Sequence, residues 1–94
     1  MVEVHAELEG DAWSCQVKVE QTGKRTEHLV AVTAADLERW GRGAGSSREE
    51  VEDLVARSFD FLLRREPPGA ILRSFELAVI QRYFPEFDGE IRGG

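Results

Sequence analysis

The chain has little cysteine, histidine and lysine: one, two and two residues, respectively, out of 94. A single thiol cannot form an internal disulfide, and it cannot supply the ligand cluster of a structural zinc site. No apolar run reaches the roughly 18 residues of a membrane-spanning helix, and the start lacks the basic and apolar regions of a signal peptide. We therefore expect a cytoplasmic protein with no membrane contact, no metal and no other cofactor.

Basic residues are outnumbered: 12 Lys and Arg stand against 18 Asp and Glu, and the formal net charge is −6. The deficit is shared evenly, because residues 1–47 carry 5 − 8 = −3 and residues 48–94 carry 7 − 10 = −3. Nucleic-acid binding gains most of its affinity by neutralising phosphates, so we expect no nucleic-acid partner. The length predicts one domain, which we place at 1–88, with a flexible C-terminal tail at 89–94.

Three segments in the first third of the chain alternate apolar and polar residues with a period of two, which is typical of half-buried strands. They lie at about 2–9, 12–20 and 25–33, and the short turns "EGDA" and "QTGK" separate them. Cys15 falls on the apolar face of the second strand and His28 on that of the third. The pattern predicts a three-stranded antiparallel meander with one covered face.

Capping signals predict helices after the strands. Thr33, with an acid three residues later, begins a short helix at about 34–40. The stretch "SREE" begins a longer helix at about 48–65, which the prolines at 67 and 68 end. Between the two helices, "GRGAGSS" predicts a flexible loop without the spacing of a phosphate-binding motif.

A third helix is predicted at about 70–84, before Pro85. Its apolar residues form two sets that are offset in helical phase, so we expect either a bend near Phe75–Glu76 or burial on more than one side. Together these elements predict an α+β fold, in which a three-stranded meander is followed by one short and two longer helices.

The sequence contains no recognisable catalytic constellation. Cys15 shares its strand face with Trp13 and Val17, which favours a small buried hydrophobe over a reactive thiol. His28 is predicted to be a buried, hydrogen-bonded core residue and His5 an ordinary surface residue. We therefore predict no catalytic, cofactor-binding or metal-binding residues and a protein that is not an enzyme.

Aromatic side chains are concentrated in the two predicted long helices, and one sheet face cannot cover all of this apolar area. The surplus predicts either a homodimer or a surface for another protein partner, with a tightly packed monomer as the alternative. The function that follows is a small interaction or regulatory domain. The predicted partner-binding residues are Phe61, Tyr83, Phe84 and Phe87.

The stretch "SFDFLLRREPPGAILRSFELAVIQRYFPEF", at Ser58–Phe87, resembles a signature of small uncharacterised bacterial proteins. Those proteins also share a strand-rich start and a "V-T-x-x-D-L-E-R" step, which is present here at Val32–Arg39. The resemblance implies a compact bacterial domain, and it brings no activity and no catalytic residue with it.

The chain ends in Arg92-Gly93-Gly94, as ubiquitin-like modifiers and bacterial sulfur carriers do. In those proteins the activating enzyme threads a narrow Gly-Gly tail to reach its carboxylate, and the tail leaves a strand of a ββαββ sheet. Here the predicted order is three strands followed by helices. A modifier or sulfur carrier is therefore the alternative function, and a frayed end is the expected role of the tail.

Overall fold

A computed structural model describes residues 1–41 and 47–93, so most of the predicted glycine-rich loop and the last glycine lie outside the described residues. The α+β prediction is confirmed, as are three N-terminal strands that pair antiparallel. The elements are β1 (Val2–Glu9), β2 (Ala12–Gln21), β3 (Lys24–Thr33), α1 (Ala34–Trp40), α2 (Arg48–Leu63), a 3-10 turn (Pro68–Ala70), β4 (Ser74–Glu76), α3 (Ala78–Tyr83) and α4 (Phe87–Gly93).

The sheet has the order β1-β2-β3-β4, and the period-two pattern places one face against the core. Ala6 lies opposite Cys15, and Cys15 lies opposite Val30; all three side chains are fully buried. Gly10 and Gly23 have φ of 66° and 77°, the left-handed conformation that these tight turns require and that glycine adopts without strain. The two hairpins therefore set the register that places Ala6, Cys15 and Val30 on one buried face.

Helix α2 covers this face with an apolar stripe of Val51, Leu54, Val55 and Phe59, each fully buried. The two helix starts that were predicted from capping signals are confirmed. The Thr33 side chain accepts from the backbone N–H of Asp36, whose carboxylate accepts from the backbone N–H of Thr33, and this capping box begins α1. Ser47 accepts from the backbone N–H of Glu50 at the start of α2.

The predicted third helix at 70–84 is wrong as a single element. The chain forms the 3-10 turn, then β4 parallel to β3, and only then the six-residue α3. The backbone N–H of Leu29 donates to the carbonyl of Arg73 (2.7 Å), and that of Leu77 donates to the carbonyl of Ala31 (2.9 Å). Pairing with β3 satisfies backbone groups that a continuous helix would leave open at the edge of the sheet. The expected bend near Phe75–Glu76 is thus a short strand.

The predicted boundary at residue 88 does not coincide with an end of secondary structure, because α4 runs across it. Phe87 and Ile91 lie one helical turn apart and are both buried. The Phe87 ring packs edge-on against Trp40 at 5.3 Å and against Phe61 at 5.2 Å. Ile91, which was predicted to lie in the flexible tail, therefore belongs to the buried core beside α1 and α2.

Candidate functional site

An apolar groove of about 330 Å³ lies between the end of α2, the 3-10 turn, β4 and α3. Its walls include Ile71, Leu72, Phe75, Val79, Tyr83 and Phe84. This volume is at the lower end of the range for ligand pockets, and it suits a few side chains better than a large cofactor.

The groove is open because α3 is short, with one buried face and one exposed face. Ile80 points into the core and is 3% exposed, whereas Tyr83 near the end of the same helix is 71% exposed. Leu72, which precedes β4, is 52% exposed. Leu72 and Tyr83 are two of the five large hydrophobic residues that are exposed in the described part of the chain, and both line the groove.

The buried ring of His28 supports one wall of the groove. Its Nδ1 lies 2.7 Å from the carbonyl oxygen of Leu72, and its Nε2 lies 2.9 Å from the hydroxyl of Thr26. A carbonyl can only accept, so Nδ1 carries the proton, and in the neutral ring Nε2 accepts from the hydroxyl. The prediction of a buried, hydrogen-bonded core histidine is confirmed, and the contact holds Leu72 at the edge of β4.

The four predicted partner-binding aromatic residues divide into two pairs. Tyr83 and Phe84 line the groove, whereas Phe61 and Phe87 are 1% and 0% exposed. Phe61 packs edge-on against Phe87, and the Arg65 guanidinium lies 3.7 Å above the Phe61 ring. The prediction is therefore corrected for Phe61 and Phe87: Phe87 begins the helix α4, which the sequence did not predict, and both rings are buried and out of reach of a partner in this conformation.

The other candidates for catalysis or metal binding, Cys15 and His5, lie in the core and on the surface, respectively. Cys15 is fully buried, and burial raises the pKa of its thiol to about 12, with the Glu52 carboxylate adding to the rise. His5 is exposed and lies 3.2 Å from the Glu7 carboxylate, as expected of a surface residue. Within residues 1–41 and 47–93, no group of three or more His, Cys, Asp or Glu side chains is arranged to hold a metal ion.

Sequence reasoning missed Glu66, Leu72, Phe75 and Val79 as residues of the groove. The phase offset between the two apolar sets of 70–84 was a usable signal, because a break in helical phase occurs where the strand β4 interrupts the helices. Exposure of Leu72 had no comparable signal, since it depends on where the chain turns before β4.

Comparison of the chain with protein-family models, with curated proteins and with solved structures found no match. The resemblance to small bacterial proteins therefore stays a prediction. In the described ranges, no helix combines the length and the apolar character that crossing a bilayer demands.

Proposed function

We propose that this protein is a small, non-enzymatic binding domain that takes an apolar segment of a protein partner into the groove. The observation that carries the proposal is the exposure of Leu72 and Tyr83 beside the half-buried Phe75 and Phe84. Large apolar side chains clustered around a concavity are typical of protein-interaction sites, and tyrosine is enriched among the residues that dominate binding energy.

The occupant is a segment of another protein and not a second copy of this chain. A stable dimer interface buries about 800 Å² on each partner. The groove offers two strongly exposed large apolar side chains, and its neighbours Arg73 and Arg82 are charged and exposed. A patch of this size suits a few anchoring side chains of a peptide, so homodimerisation is an outcome for the experiment to exclude.

The alternative function, a modifier or sulfur carrier, gains no support from the geometry. Helix α4 extends to Gly93, and the guanidinium of Arg57 donates to the carbonyl of Ile91 at 2.8 Å. An activating enzyme needs an extended tail, whereas this hydrogen bond holds the residues just before the end of the chain in a helix. Gly94 lies outside the described residues. The thiocarboxylate or conjugate that this alternative requires would be visible by mass spectrometry after co-expression with an activating enzyme.

Selection from a library of short random peptides displayed on phage tests the proposal. We expect peptides that shift the backbone amide resonances of Leu72, Phe75 and Tyr83 in the labelled protein. Tyr83→Ser and Leu72→Ser should each weaken binding of a selected peptide by about tenfold or more. Leu8→Ser is the matched control, because Leu8 is 59% exposed on β1 and lies outside the groove.

Two results would overturn the proposal. One is that no selected peptide loses affinity in the Tyr83→Ser and Leu72→Ser variants. The other is that light scattering at micromolar concentration gives twice the monomer mass of 10.6 kDa, and that Tyr83→Ser restores the monomer. In the second case the groove would be an interface between copies of this chain.

A further inference from the structure

Strand β4 has a free edge beside the groove. The carbonyl of Arg73 and the N–H of Leu77 bond to β3, so alternate residues of this parallel strand direct their backbone groups towards β3. Ser74 and Glu76 therefore direct their N–H and C=O groups the other way. Both residues are exposed, and within the described residues β4 is the last strand of the sheet. An extended peptide can pair with these groups.

The groove lies on one face of this edge. Phe75 projects from β4 into the groove wall, with its ring 6.1 Å from the buried Phe59. A strand added beside β4 alternates its side chains between the two faces of the sheet. One set of these side chains would contact Phe75 and the α3 wall, including Val79 and Tyr83. Backbone pairing and side-chain burial can therefore act together on one peptide, as in β-strand addition.

Among the described residues that line the groove, Glu66, just beyond the end of α2, is the one charged residue. Its side chain is half-buried, and its carboxylate makes no hydrogen bond or ion pair with the described part of the chain. The neighbouring Arg65 is directed elsewhere, to Glu86 at 3.4 Å and Glu90 at 2.6 Å. A carboxylate that is open to solvent beside an apolar wall favours a ligand with a cation next to its apolar side chain.

We propose that the occupant of the groove is an extended segment with a basic and an apolar residue. It adds as a strand to the free edge of β4, places the apolar side chain against Phe75 and Tyr83, and pairs a Lys or Arg with Glu66. This inference rests on the proposed function, and it specifies the chemistry of the partner.

The selected phage peptides, synthesised with capped ends, provide the probe. We expect Lys or Arg to be enriched next to an apolar residue, and Glu66→Gln to weaken binding by about fivefold, the effect of losing one partly exposed ion pair. Glu38→Gln is the matched control, because it removes the same charge from an exposed position on α1, which contributes nothing to the groove lining.

Backbone pairing is tested on the same peptides. Methylation of the peptide nitrogens that face β4 removes their N–H donors and keeps every side chain, and we expect affinity to fall on the order of tenfold for two lost hydrogen bonds. Peptides that need Tyr83 but tolerate both Glu66→Gln and N-methylation would overturn this inference and leave the proposed function standing. If no peptide depends on Tyr83, both fail.

Discussion

The two sides of the C-terminal third differ in how completely their apolar residues are covered. On one side, which we name the closed side, α4 packs against α1 and α2 and buries Phe87 and Ile91. A polar contact borders it: the indole N–H of Trp40 donates to the Asp88 carboxylate at 2.6 Å, and Arg39 donates to the same group at 3.2 Å. On this side the chain covers its own aromatic surface.

On the other side, which we name the open side, α3 and β4 line the groove, and Leu72 and Tyr83 stay exposed. The surplus of aromatic area that the sequence indicates is therefore only partly a surface for partners. Aromatic content identifies excess apolar area, whereas the path of the chain decides which part of that area another molecule can reach. Substitutions on the closed side should lower stability and leave binding intact. Substitutions on the open side should weaken binding and leave stability nearly unchanged.

The largest effect should come from Phe87→Ala on the closed side. Deleting a fully buried phenylalanine ring removes its contacts with Trp40 and Phe61 and leaves a cavity, so we expect a loss of about 3–5 kcal/mol in the free energy of unfolding. Urea denaturation followed by tryptophan fluorescence measures it. A loss below about 0.5 kcal/mol, the usual size of a surface effect, would show that α4 does not close the core.

A smaller loss is expected when the polar border of the closed side is removed. Asp88→Ala leaves the indole N–H of the buried Trp40 without this acceptor, which costs about 1–3 kcal/mol. Asp88→Asn is the matched control, because its amide oxygen can still accept from the indole. If both variants lose the same stability, the carboxylate charge, and not the acceptor, is what matters at this border.

Features that depend on residues close together in the chain could be predicted from the sequence, whereas features that depend on distant residues could not. The strand faces around Cys15 and His28 and the cap at Thr33 depend on near neighbours, and local patterns predicted them. β4 is only three residues long and forms because β3 offers an edge far back in the chain, so the helical pattern of 70–84 was misleading. Phe61 and Tyr83 look alike in sequence, but the Phe61 ring packs against Phe84 and against Phe87 of α4, whereas Tyr83 stays exposed.

The burial of the Cys15 thiol should also affect how the free energy of unfolding depends on pH. The Cys15 thiol has a pKa of about 12 when folded against an ordinary value of 9.0, so between these pH values the unfolded chain ionises first and the folded state loses stability as pH rises. From pH 8 to pH 10 we expect wild type to lose about 1 kcal/mol more than Cys15→Ala. Parallel pH profiles for the two proteins would show that the thiol is accessible to solvent when folded.

The smallest effect on stability should come from Tyr83→Ser on the open side. Tyr83 is 71% exposed, and its ring makes no aromatic contact with the described residues, so we expect the free energy of unfolding to change by less than about 0.5 kcal/mol. The same variant should lose the peptide binding that Phe87→Ala retains at temperatures where that variant is still folded. A large loss of stability in Tyr83→Ser would instead mean that the groove wall belongs to the core, and the distinction between the closed and open sides would not hold.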